Sequence, residues 1–117
     1  MSVSYGVASA PIRTKETWKN NQVWNENTIR QMVDDYSKWE NIKILPKMIN
    51  CESQFKRYAL GDGKYKSRGI AQISHYYHKG ISDEQAYDPV WAIEWTIDQI
   101  QNGNGKLWTC YRKLAGK

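Results

Sequence analysis

The chain has 117 residues and a formal net charge of +5, with 40% hydrophobic and 25% charged residues. That length suits one domain with a single core, and that composition excludes a disordered chain. No apolar stretch is long enough to span a membrane, and the basic residues are scattered, unlike the dense tract of a dedicated nucleic-acid binder.

Residues 1–26 read as an arm that packs on the body, and residues 27–117 as the body itself. The arm opens on Ser, Gly, Ala and Pro and continues through a polar stretch holding Trp18 and Trp24. Met1 to Pro11 lacks a basic start followed by an apolar run, so no secretory signal is evident. Helix signals begin near Asn27, a candidate cap, with Ile29, Met32, Val33 and Tyr36 on one face. A second helix is expected from Pro46, since proline is tolerated in the first turn. Met48, Ile49, Glu52 and Phe55 then share one side. A glutamate on an apolar stripe is informative. Burying an ionised carboxylate is costly, so such a group shifts its pKa, finds a partner or lines a cavity.

Residues 60–69, rich in Gly, Lys and Ser, read as a loop or short hairpin. Ile70 to Tyr77 is expected to form a short helix carrying Gln72 and Tyr76. Asp88-Pro89 opens the clearest helix, with Asp88 as cap and Val90, Ile93, Ile97 and Ile100 on its inner face. Gly103 and Gly105 end it. Leu107, Trp108, Tyr111 and Leu114 suggest a short final helix.

Six Trp and eight Tyr outnumber the single Phe. Such side chains offer a flat apolar face and a polar tip, which suits sugar rings as well as cores. Two cysteines, Cys51 and Cys110, and two histidines, His75 and His78, give no zinc spacing, so no metal and no cofactor are expected. A disulfide and two buried thiols both remain open, because bridging depends on the separation and direction of the side chains.

The most informative block is residues 44–73, ILPKMINCESQFKRYALGDGKYKSRGIAQI. A helix ends in Glu52-Ser53, Phe55 follows, and a Gly-rich loop leads to Ser67-x-Gly69-Ile70-x-Gln72-Ile73. Asp88-Pro89 opens a later helix. Across residues 40–112 this pattern resembles the lytic transglycosylase family and its relative the goose-type lysozyme. Two departures are visible. Arg68 stands where an aromatic or small residue is usual, and the C-terminal segment reads Trp-Thr-Cys-Tyr-Arg, with Tyr111 the stand-in for a family tyrosine.

The resemblance implies a mainly α, lysozyme-like fold in which a small loop or hairpin lobe at residues 58–69 bounds a glycan cleft. It implies Glu52 as general acid on the bond between N-acetylmuramic acid and N-acetylglucosamine of peptidoglycan. Ile49, Phe55, Ile70 and Ile73 are candidates for the apolar wall that keeps such an acid protonated. Ser67 and Gln72 are read as substrate-binding groups, and Tyr76, Tyr77 and Tyr87 as residues lining sugar subsites. Asp62 is the candidate for positioning water, against a plain turn role within Gly-Asp-Gly. One glutamate without a partner favours a transglycosylase, which forms an anhydro-sugar. A second carboxylate would favour a hydrolytic muramidase. The rival readings are an inactive glycan-binding module, in which Arg68 pairs with Glu52 and keeps it ionised, and a nucleic-acid-binding domain. The cations Lys56, Arg57, Lys64, Lys66 and Arg68 come closest to the latter, and are read instead as a rim for acidic stem peptides. Such chemistry places the protein outside the cytoplasm or with a phage.

Overall fold

A computed structural model describes residues 12–116. The fold is mainly α, with six helices and one two-stranded antiparallel sheet among the described residues. Residues 1–11 of the expected arm lie outside them. The rest of that segment holds α1 (Lys15–Lys19), a single turn closed by a reciprocal cap between Thr14 and Thr17. Trp18 on α1 is buried, and its indole Nε1 donates to Asp35 at 2.8 Å. Arg13 meets the same carboxylate at 2.7 Å, and this pairing holds Asp35 below the usual carboxylate range even though burial opposes it. The Trp24 ring stacks on Trp18 at 6.0 Å.

Helix α2 (Glu26–Glu40) is capped two residues earlier than expected, by Asn25, which forms a reciprocal capping box with Thr28. Its stripe of Ile29, Met32, Val33 and Tyr36 is buried. Helix α3 (Leu45–Ser53) begins one residue before Pro46 and buries Leu45, Met48 and Ile49. It ends abruptly. Gln54 and Phe55 both take left-handed backbone, φ 56° and 62°. Side-chain-bearing residues visit that region at a cost of about 1 kcal/mol each. The reversal turns the chain away from the helix axis immediately after Glu52-Ser53.

The small lobe differs from expectation. Strand β1 (Ser67–Arg68) pairs with β2 (Ile73–Ser74) through a four-residue turn, so residues 70–77 are not a helix. The reason is local. Gly69 and Gln72 have φ of 78° and 51°, which no right-handed helix admits. The hairpin therefore runs past residue 69. The 58–69 segment packs alongside it, with Leu60 bridged to Arg68 and the Gly61 N–H donating to the Ser67 carbonyl at 2.7 Å.

Helix α4 (Asp83–Tyr87), absent from the sequence reading, is capped by Ser82 and Gln85. Helix α5 (Pro89–Gln101) starts as expected, with Asp88 accepting from the Val90 and Trp91 N–H groups. It buries Val90, Ile93 and Ile97, and ends at the Asn102 cap just before Gly103. A 3-10 turn (Gly105–Leu107) leads into α6 (Thr109–Ala115). Gly105 lets the Tyr111 ring pack close, since a Cβ there would meet the ring at 2.5 Å and displace it. Helices α2, α3 and α5 share the core with Trp108. Cys51 on α3 and Cys110 on α6 are disulfide-bonded. No described helix is long and apolar enough to cross a membrane.

Gly69 offers a test of how the lobe docks. Its φ is 78°, and a Cβ there would collide with the Ala86 backbone carbonyl of α4. We expect Gly69→Ala to lose more than about 2 kcal/mol in urea titration, combining left-handed strain with a clash that no rotamer relieves. A midpoint unchanged within error would show that lobe and α4 are not in fixed contact.

Candidate functional site

A cleft of about 580 Å³ lies between the lobe and the helical body. Glu52 reaches it from the last turn of α3, partly buried. Its carboxylate Oε2 accepts the Cys110 backbone N–H at 3.2 Å. That N–H belongs to the first turn of α6, where no side chain of the helix's own cap serves. Two influences therefore oppose each other. Burial dominates and raises the Glu52 pKa above the ordinary carboxylate range, while the Cys110 N–H and the cations Arg112 and Lys113 pull it down.

The wall around Glu52 is aromatic. Trp108 is buried, and its Nε1 donates to the Ala71 carbonyl at 2.7 Å, pinning the hairpin turn to the start of α6. Trp95 on α5 stands edge-on to Trp108 at 5.7 Å and to His78 at 5.0 Å. Trp91 lies parallel to Trp95 at 6.3 Å, one helical turn away. His78 lines the cleft, and burial followed by the charge of Arg68 lowers its pKa, which favours the neutral imidazole. Of the four expected wall residues only Ile73 lines the cleft. Ile49, Phe55 and Ile70 are core, and the Phe55 ring carries the Arg30 guanidinium at 4.9 Å.

Ser67 and Gln72 line the same cleft as Glu52. Gln72 also braces the lobe. Its side-chain nitrogen donates to the Ala59 and Gly69 carbonyls at 3.1 and 3.0 Å, which joins the loop to the turn. Tyr76 is at the rim rather than in the lining, with its ring edge-on to Tyr77 at 5.0 Å and to Tyr65 at 5.7 Å. Tyr65 and Tyr77 do line the cleft. Tyr87 lies elsewhere. It packs on Tyr58 at 5.4 Å, and its carbonyl accepts from Arg57 Nε. Asp62 is exposed and outside the cleft lining. Among the described residues Glu52 is the sole carboxylate lining the cleft.

Arg68 does not pair with Glu52. It is buried, and its Nη1 donates to Asp83 at 2.7 Å and to the Ile81 carbonyl at 3.2 Å. It therefore ties the hairpin to α4. The basic cluster read as a rim for acidic stem peptides, and the nearest approach to a nucleic-acid surface, loses its contiguity, since Arg68 is internal and Arg57 leans on the Tyr58 ring. Among the described residues no group of three His, Cys, Asp or Glu is placed to hold a metal ion.

The sequence reading missed Trp95, Trp108 and Tyr65. Trp91 and Trp95 recur at i, i+4 beside the Ile face of α5, which was the available signal. Nothing local marks Trp108 as a cleft residue, because it meets the lobe 37 residues away in sequence. No protein-family model, curated protein or solved structure matches this chain.

Proposed function

We propose that this protein cleaves the β-1,4 bond between N-acetylmuramic acid and N-acetylglucosamine in peptidoglycan, on a lysozyme-like fold. The supporting observation is the environment of Glu52. It is a partly buried carboxyl of raised pKa, in an indole-lined cleft that also holds Ser67 and Gln72. Glycoside cleavage needs a proton delivered to the leaving oxygen as positive charge grows on the sugar. A carboxyl kept protonated by burial is equipped to deliver it. Trp95 supplies a flat apolar face for a sugar ring, with buried Trp108 backing it, and Ser67 supplies a hydroxyl for the acetamido group.

After protonation Glu52 is a carboxylate, and it takes a proton from the nucleophile. With no second carboxylate lining the cleft among the described residues, that nucleophile is the muramoyl 6-hydroxyl, which closes an anhydro ring. The reaction is then that of a lytic transglycosylase, outside the cytoplasm or in a phage. A disulfide is compatible with an oxidising compartment.

A second reading has one observation in its favour. The Cys110 N–H bonded to Oε2 is a helix-capping contact, and it favours ionised Glu52. In that case the domain binds glycan without cleaving it. Mass spectrometry of the soluble products from purified peptidoglycan separates these readings. Anhydromuramoyl ends are expected. Reducing muramic ends would make the enzyme a muramidase, and no soluble product would leave the binding module.

A further inference from the structure

We propose that the tyrosine–lysine lip beside the cleft is a subsite for the carboxylate-bearing peptide stems of the glycan. The enzyme then prefers peptide-bearing strands to bare ones. This rests on the peptidoglycan reading above. Tyr65, Tyr76 and Tyr77 are 41%, 45% and 66% exposed. Yet their rings close into a triangle with centroids 5.0 to 5.7 Å apart. Grouped exposed aromatics beside a cleft mark a contact surface rather than an incidental one.

The lip is built in advance of any ligand. Ser74 Oγ donates to the Tyr65 carbonyl at 3.0 Å and accepts from the Tyr77 N–H at 3.2 Å. The Tyr76 N–H donates to the Tyr65 carbonyl at 3.3 Å. The sheet therefore holds all three rings in place, and little ordering entropy is lost on binding.

Charge complementarity names the occupant. Lys64 Nζ lies 5.2 Å from the Tyr65 ring centre and 5.4 Å from that of Tyr76, and Lys79 Nζ lies 5.9 Å from Tyr76. Neither ammonium has a carboxylate within ion-pair distance among the described residues. Unpaired cations on an aromatic platform suit a ligand that offers carboxylates and short apolar side chains together. The sugar rings themselves offer no carboxylate, and the muramoyl lactyl carboxyl is tied up as an amide wherever a stem is attached. A peptide stem projecting sideways from a strand held in the cleft offers both. Tyr65 and Tyr77 face cleft and lip at once, so one strand can engage both surfaces.

The test uses the full chain carrying Glu52→Gln, so that binding is read without turnover. Its retention is measured on intact peptidoglycan and on glycan strands stripped of peptides by an amidase, with the freed lactyl carboxyls capped as amides. We expect about fivefold tighter binding to the peptide-bearing form, from two exposed charge contacts, and a loss of that preference as salt rises. Adding Lys64→Ala and Lys79→Ala should bring the ratio close to one while binding to stripped strands and the melting temperature stay unchanged. Equal retention of the two glycan forms, or a ratio untouched by the lysine changes, overturns the lip. Product analysis with the unmutated protein keeps the two proposals apart. Cleavage of both glycans without preference retains the enzyme and discards the lip. A preference in binding with no cleavage of either discards the enzyme and retains the lip.

Discussion

On the proposed reading, Glu52→Gln is expected to leave less than about a thousandth of the wild-type rate, the scale of a lost general acid. Gln keeps the size of the side chain and an oxygen to accept the Cys110 N–H, so the cleft stays assembled. For the wild type, activity falls as pH rises through the Glu52 pKa, because the carboxyl must arrive protonated. Burial sets that fall above the ordinary carboxylate range. Stability carries an independent sign. A carboxyl whose folded pKa exceeds its unfolded value binds more protons when folded, so its contribution is present at low pH and is lost as pH rises. Gln stays neutral throughout. The variant should therefore melt above the wild type at neutral pH, with the gap closing in mild acid. Melting curves at the two pH values check this. A variant that instead melts below the wild type at neutral pH, with the deficit closing in acid, would mean the protein stabilises the carboxylate, as a helix cap does. Residual turnover near the wild-type rate would end the catalytic assignment.

Removing the Cys51–Cys110 bond is the second large effect. The bond joins residues 59 apart, and a loop of that length corresponds to about 4 kcal/mol of chain entropy. For a domain of this size the melting temperature should fall by roughly 15 °C in the Cys51→Ser, Cys110→Ser variant. The site should suffer before the fold does. Cys51 adjoins Glu52 in the chain, and Cys110 supplies the N–H that holds its carboxylate. The bond thus fixes both sides of one side chain. Activity measured in a dithiol reductant, below the onset of unfolding, should drop while circular dichroism holds. Full activity with both thiols free would show that the α3–α6 packing positions Glu52 without covalent help.

Much of the helical body was legible residue by residue. The stripe of Ile29, Met32, Val33 and Tyr36 and that of Val90, Ile93 and Ile97 are buried on α2 and α5, because a 3.6-residue period is a local property. Asp88-Pro89 was legible for the same reason, since cap and first-turn proline act within four residues. Failures fell where local preference was overruled. Residues 70–77 have an acceptable helical pattern, yet Gly69 packs against the Ala86 carbonyl and Gln72 bonds two carbonyls, which bends the segment into a hairpin. Arg68 shows the limit for charges. From sequence it was free to face Glu52, and only the docking of α4 delivers Asp83 to it instead.

The candidate site divides along the same line. Periodicity and capping signals determined the main helices and a glutamate at the end of an apolar one, and the resemblance to the transglycosylase pattern singled out the serine and glutamine of the segment that follows. Each of these is written in contiguous residues. The tertiary structure decided which groups surround the carboxyl. It placed Trp95 and Trp108 in the wall, moved Tyr87 and Asp62 out of the cleft, paired Cys51 with Cys110, and set burial against the Cys110 N–H at Glu52. Those outcomes depend on contacts between segments tens of residues apart. The proton affinity of a side chain follows from the solvent and charges around it, and these exist only once the helices have packed.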